Sequence, residues 1–247
     1  MGYVDPMAGP FHPTAHFYDR AYAHLDYEGH AATVEAIIRD RCPEAASLLD
    51  VACGTGKHLE IWRERFDHVE GVDVDPAMVA IARERVPSVP VHEGDFTSFD
   101  LDSAFDAVTC LFSSIGYADT SERLDAAIAA MGSHLAPGGV LVVEPWLTPD
   151  RLRPPWVRVL VQERDDWVMA RTSRMRYDGG DQGGVSEAEF AYLVTTPEGS
   201  ETFVEQHVLG VYTPERLVEA ARRAGLEAEF DPEGTYLARG LLIAIRS

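Results

Sequence analysis

Leu49-Asp50-Val51-Ala52-Cys53-Gly54-Thr55-Gly56-Lys57-His58 closes an apolar run and opens an amphipathic one. Ser47–Ala52 has the composition of a buried strand and Lys57–Phe66 the spacing of a helix, so two glycines stand on a strand-to-helix turn. Gly54 and Gly56 remove side chains where the backbone turns sharply and a ligand approaches it. A dinucleotide fingerprint has a third glycine where this chain has Leu59, which disfavours a pyrophosphate cradle. Asp50, just ahead of the turn, suits a ligand with a cationic amino group instead.

The rhythm continues outward from this turn. Strands are expected at Val69–Val74, Val89–His92, Ala104–Phe112 and Val140–Pro145, with helices at Ala77–Arg85 and from Thr120 to Leu135, the latter ended by Pro137-Gly138-Gly139. Strand–helix alternation means parallel strands joined by right-handed crossovers. Residues 1–16, with Gly2, Pro6, Gly9, Pro10 and Pro13, read as a flexible lead-in. The aromatic cluster Phe17-Tyr18-Asp19-Arg20-Ala21-Tyr22 and Tyr27 follows, then a helix over Gly29–Arg41. After Thr148 the pattern changes to antiparallel strands at Val157–Gln162, Trp167–Tyr177, Val185–Thr195 and Thr202–Leu209, with turns at Asp178-Gly179-Gly180 and Pro197-Glu198-Gly199. Thr213-Pro214-Glu215 caps a helix to Ala224, and Glu227–Asp231 and Gly240–Ile245 return as strands. The expected fold is one α/β domain over 1–247: a Rossmann-like, seven-stranded, mostly parallel sheet with helices on both faces, plus an inserted antiparallel sheet over its mouth. Residues 17–147 form the cofactor-binding core, 148–211 the insert and 212–247 the return to the core sheet.

Ligands of open α/β sheets bind at the carboxyl ends of the strands. There the sequence offers Asp50 on the first strand, Asp73 on the second for ribose hydroxyls, Asp95 and Phe96 after the third for an adenine amine and ring, and Leu111-Phe112 on the fourth. Singly each has a plainer reading: Asp95 as an Asx turn, Asp73 as a solvated turn residue. In order, at successive strand ends, they make a nucleoside site.

This order resembles the class I S-adenosylmethionine-dependent methyltransferases. The resemblance implies that Tyr18, Asp50, Ala52, Gly54, Thr55, Gly56, Asp73, Met78, Asp95, Phe96, Leu111 and Phe112 bind S-adenosylmethionine. Longer strings resemble a narrower group: Phe112-Ser113-Ser114-Ile115-Gly116-Tyr117, Leu135-Ala136-Pro137-Gly138-Gly139, Val143-Glu144-Pro145-Trp146 and Arg239-Gly240-Leu241, with Phe17-Tyr18-Asp19. They are similar to the nucleotide-sugar N,N-dimethyltransferases of antibiotic pathways, which methylate an amine on a thymidine-diphosphate sugar. Some members of that group have His where this chain has Tyr117.

Methyl transfer to an amine needs a free lone pair, positioning and an acceptor for the displaced proton. Tyr22, Tyr117 and His207 are the candidate catalytic residues, against helix packing, a loop aromatic and a satisfied polar residue respectively. A diphosphate wants guanidinium donors. Arg239 is the leading candidate, with Arg171, Arg174 and Arg176 as helpers, at least one of which belongs to a solvated strand face; Trp146 would wall the sugar or stack on the base. Another small amine or hydroxyl acceptor, or a catalytically silent cofactor-binding protein, shares these features.

Composition sets bounds. A formal net charge of −20 repels nucleic-acid phosphates, so a nucleic-acid partner is not expected. No apolar run reaches the roughly 20 residues of a membrane span, and no secretory signal is read in Met1–Pro13. Cys42, Cys53 and Cys110 match no zinc spacing and fit a reduced, cytoplasmic compartment; no metal is expected, and a homodimer is left open.

Overall fold

The fold is built around one sheet whose strands are apolar on both faces. In the computed structural model, residues 15–152, 156–180, 182–234 and 239–247 are described; most of the lead-in lies outside them. The first part of the chain gives helices α1 (Ala15–Ala21) and α2 (Tyr27–Arg41), then β1 (Ser47–Val51), α3 (Lys57–Trp62), β2 (His68–Asp73), α4 (Pro76–Arg85), β3 (Val91–Glu93), β4 (Phe105–Cys110), a 3-10 turn Ser114–Tyr117, α5 (Ser121–Ser133) and β5 (Leu135–Val143). Next come β6 (Trp156–Arg164), β7 (Trp167–Gly180), β8 (Gly183–Thr196) and β9 (Gly199–Val211), then α6 (Pro214–Arg223), β10 (Glu227–Asp231) and β11 (Leu241–Ile245). The seven-stranded sheet has the order β10-β11-β5-β4-β1-β2-β3, and β6-β7-β8-β9 form a separate four-stranded sheet. β11 runs antiparallel to both its neighbours; the other pairings of the large sheet are parallel.

Alternating side chains of β1 show how both faces are filled. Leu48 packs with Ala31, Val34 and Ile38 of α2, Leu59 and Trp62 of α3, and Val79 and Ala82 of α4. Leu49 and Val51 pack on the other face with Leu124, Ile128 and Met131 of α5 and Leu217 of α6. Full burial of each such side chain is worth about 1.5–3 kcal/mol. Helix starts follow local chemistry. Asp26 accepts from Gly29 N at 2.9 Å, Thr120 from Arg123 N at 3.2 Å and Thr213 from Arg216 N at 3.2 Å.

Two boundaries differ most from the sequence reading. Pro137-Gly138-Gly139 does not end α5 but lies inside β5, where the register shifts opposite Phe105–Ala107. The helix stops sooner because His134 caps it, with Nδ1 2.7 Å from Ala130 O while Nε2 accepts from Leu101 N at 2.8 Å. The helix beginning at Lys57 ends at Trp62 rather than Phe66.

The small sheet has one face toward the large sheet. Phe17 and Ala21 of α1 cluster with Trp167, Met169, Tyr192 and Val194 on that face, so α1 lies between small sheet and nucleotide loop. Asp19 fastens it there: Thr55 Oγ1 donates to Asp19 at 2.7 Å, and Arg85 forms an ion pair with the same carboxylate.

Candidate active site

β1 stands where the strand order reverses, with β2 on one side and β4 on the other, and ligand sites of such sheets open at that switch point. A cavity of about 610 Å³ lies there. The β1–α3 loop forms its floor. Ala52 and Gly54 hold φ of 58° and 56°, and a Cβ on Gly54 would meet nothing within 4 Å, so that peptide is bare toward the cavity. Gly56 serves packing instead. A Cβ there would stand 3.1 Å from Ala82 Cβ, so its absence lets α3 pack on α4.

Asp73 is 8% exposed and accepts from Gly54 N at 2.8 Å and Asp75 N at 2.9 Å. Two backbone donors leave lone pairs free on the cavity side. Asp95 does make an Asx turn, accepting from Thr97 N at 2.8 Å, while its other oxygen faces Arg123 at 3.8 Å; both Asp95 and Phe96 also line the cavity. Met78, Phe112 and Tyr18 complete this half. Asp50, Thr55 and Leu111 line a small adjoining recess of about 30 Å³ with Tyr18 and Phe112. Burial pushes the Asp50 carboxyl up to about 7, against the hydrogen bond from Thr109 at 2.9 Å; nearby Asp73 adds to the rise. A buried carboxylate with no ion pair among the described residues fits a ligand that brings a cation, and the bare loop fits a ligand lying against it. The residues present therefore suit S-adenosylmethionine.

The other half of the cavity is polar and lies under the small sheet. Tyr22, Tyr117, Trp146, Arg171, His207 and Arg239 all line it. Arg239 donates to Ser113 Oγ and stands 5.3 Å above the Trp146 ring. Trp146 Nε1 donates to Ser186 Oγ at 3.0 Å. Arg171 lies 5.7 Å from the Tyr22 ring. Tyr117 Oη is 2.8 Å from His207 Nδ1. Arg174 lies elsewhere: it is exposed and pairs with Glu189 at 3.0 Å. The reason is strand parity. Successive side chains alternate faces, so Arg171 and Ser173 share the cavity side while Arg174 and Arg176 face outward.

Several lining residues carry no motif in the sequence. Arg123, Trp156, Arg158 and Ser173 join the cavity because distant elements meet there. Behind Phe112 lies a buried group: His30 Nδ1 is 2.9 Å from His58 Nε2, and Glu144 accepts from Phe112 N at 2.7 Å. Burial lowers His30 to about 4, so it is neutral near pH 7, and burial raises Glu144 above the ordinary carboxylate range. The Glu144 contact holds two consecutive left-handed residues, Phe112 and Ser113, at φ 49° and 67°.

Fold and site define a methyltransferase that uses S-adenosylmethionine. Residues 48–139 match the methyltransferase domain family. The chain is 40% identical over 222 residues to the dTDP-4-amino-2,3,4,6-tetradeoxy-D-glucose N,N-dimethyltransferase of Saccharopolyspora spinosa, covering 90% of this chain and 87% of that one. It is 38% identical over 221 residues to the dTDP-3-amino-3,4,6-trideoxy-alpha-D-glucopyranose N,N-dimethyltransferase of Streptomyces venezuelae, covering 89% and 91%. Among solved structures it resembles an S-adenosylmethionine-bound amino pentose methyltransferase of Micromonospora echinaspora involved in calicheamicin biosynthesis, with a TM-score of 0.85, 42% identity and coverage of 93% and 96%. The chain belongs to the family of dTDP-aminosugar N-methyltransferases.

Proposed function

We propose that the protein N-methylates the amino group of a dTDP-linked amino deoxysugar in antibiotic biosynthesis. One observation carries this reading. A single cavity joins a nucleoside-shaped half, with Asp73, Asp95 and Phe96, to a half holding Arg158, Arg171 and Arg239. In a chain of net charge −20 such a gathering of guanidinium groups serves a local anion, and a diphosphate is the anion that the relatives' substrates carry.

Roles follow from position. Asp73 accepts the ribose hydroxyls, Asp95 the adenine amine, Phe96 and Met78 cover the ring, and Asp50 faces the cationic amino group. When bound, the cofactor supplies a sulfonium-borne methyl group. Tyr18 of α1 and Tyr22 just after it roof the cavity and exclude water. Arg239 and Arg171 hold the diphosphate and Trp146 walls the sugar, leaving the amine near Tyr117. Incubation with S-adenosylmethionine and a panel of dTDP-aminosugars, free aminosugars and hydroxyl analogues, read by mass shift, tests the reading. Methylation of the nucleotide-linked amines supports it; methylation of hydroxyl analogues alone overturns it.

A homodimer is part of the proposal. The outer face of the small sheet presents Val157, Val159, Val161, Val168, Leu193, Val204 and Val208, all exposed. Four strands and the Val157–Glu163 rows make a face of about 500 Å² per copy, so that two copies bury about 1,000 Å², the size of a weak, reversible dimer contact. The Arg174–Glu189 pair lies on the same face beside Val157, and opposite charges there can pair across a two-fold axis. Val159→Lys is expected to convert a dimer to a monomer in sedimentation; a monomeric parent protein overturns the dimer. No described helix is long and apolar enough to cross a membrane. A cytoplasmic location accords with three unpaired cysteines, and the acidic surface disfavours a nucleic-acid partner.

A further inference from the structure

Methylation at nitrogen leaves a proton problem. An alkyl amine reaches the cavity mainly as ammonium and has no lone pair until a proton leaves it. The closed half of the cavity holds a chain of groups suited to removing that proton. Glu205 and His207 are two residues apart on β9, so the pleat turns both to the same face, and they are 5% and 3% exposed. His207 Nε2 lies 3.4 Å from Glu205 Oε2, and His207 Nδ1 lies 2.8 Å from Tyr117 Oη. Tyr117 arrives on the 3-10 turn after β4, and Gly116 lets it come close: a Cβ there would stand 3.2 Å from Trp146 Cβ and 3.3 Å from Leu209 Cδ2. Tyr117 and His207 line the cavity, whereas Glu205 lies behind them.

We propose that Tyr117 and His207 form a proton relay that frees the substrate amine, with Glu205 as the positioning residue that sets the His207 tautomer. A carboxylate only accepts, so His207 carries its proton on Nε2 and leaves Nδ1 to accept from the Tyr117 hydroxyl. Having donated its own proton to His207, the Tyr117 oxygen can accept one from the amine. In the step, an ammonium N–H bond breaks and its proton binds Tyr117 Oη as the original Tyr117 proton moves to His207 Nδ1. The products are a neutral amine, an intact phenol and an imidazolium beside Glu205; two protons shift in concert, for a net transfer of one from amine to imidazole, and nothing is oxidised or reduced. Tyr117 acts as a conduit and not as a phenolate, because burial holds its hydroxyl well above the ordinary phenol range. This rests on the aminosugar reading above.

The pH dependence involves the other groups around the Tyr117–His207 pair. Around it stand Tyr22 just after α1, Arg171 on β7, Tyr192 on β8, Glu205 on the same strand as His207, and Arg239, with the Phe190 ring 5.1 Å from the His207 ring. The test has two parts. Nitrogen-15 NMR of the ligand-free protein reads the His207 tautomer without substrate: the proton is expected on Nε2, with the two tautomers mixed in Glu205→Gln. A proton on Nδ1 in the parent protein overturns the proposal. Second, kcat is measured against pH for His207→Gln and Tyr117→Phe, in protein whose affinity for S-adenosylhomocysteine matches the parent by calorimetry. The expected loss is about a hundredfold near pH 7. It shrinks as the pH nears the amine's own pKa, where solution supplies free amine. A loss equal at every pH in both variants marks a merely structural role and overturns the relay. Absence of methylation of any aminosugar by the parent protein instead removes the substrate reading, while the tautomer result stands on its own.

Discussion

Asp50 sits in the fold at a cost that a cationic ligand group beside it would offset. It is 2% exposed at the end of β1, its ordinary value is 3.8, and burial lifts it to about 7. Because the folded-state value lies above the unfolded one, the charged form is disfavoured in the folded protein. That destabilisation is slight at pH 4, grows as pH rises from 4 to 7 and is complete above 7. The interval between the two values corresponds to about 4 kcal/mol at pH 8. Asp50→Asn keeps an acceptor for Thr109 and removes the charge. We expect the ligand-free variant to melt about 8 °C above the parent at pH 8, and almost level with it at pH 4. The same charge should serve binding. A cationic amino group beside Asp50 favours ionisation, so affinity for S-adenosylhomocysteine should be about tenfold weaker at pH 6 than at pH 8, since about a tenth of Asp50 is then charged in the free protein. Asp50→Asn should bind more weakly at pH 8, by about 1.5–3 kcal/mol, and show little dependence over that range. Scanning calorimetry and titration calorimetry read the two effects. A variant no more stable than the parent at pH 8, with parent binding independent of pH, would refute the assignment.

Asp73→Ala should weaken S-adenosylhomocysteine by about 1–3 kcal/mol in calorimetry, through the lost ribose contact and the unpaired Gly54 and Asp75 amides; unchanged affinity in folded protein excludes the ribose role. Arg239→Ala should raise KM for a dTDP-aminosugar about ten- to a hundredfold with cofactor affinity unchanged, since a charge-assisted phosphate contact is worth about 1.5–3 kcal/mol. An unaltered KM would remove Arg239 from the diphosphate site. Arg174→Ala, on the outward face with Glu189, should leave KM within about twofold of the parent, as an exposed ion pair contributes little; a large rise would show that the outer face serves the substrate.

The half of the cavity at the strand ends was legible because its residues follow from local rules. Strand–turn–helix periodicity located the Gly54–Gly56 loop, and the rule that ligands lie at strand ends then selected Asp50, Asp73, Asp95 and Phe112 in one dimension. The substrate half was less legible. Three arginines of β7 looked alike in composition, and the pleat of the small sheet separated Arg171 from Arg174 and Arg176. The alternation Glu205-x-His207 was available in the sequence, yet its meaning depended on Tyr117 reaching His207, which required Gly116 to lie against Trp146 and Leu209. The buried His30, His58 and Glu144 come from α2, α3 and the end of β5, and no local pattern links them. Local propensity and period thus set the sheet and its nucleoside-binding edge. Only tertiary packing, acting between residues some ninety positions apart such as Tyr117 and His207, decided which polar side chains share the closed cavity, because that depends on how the small sheet and α1 dock over the large one.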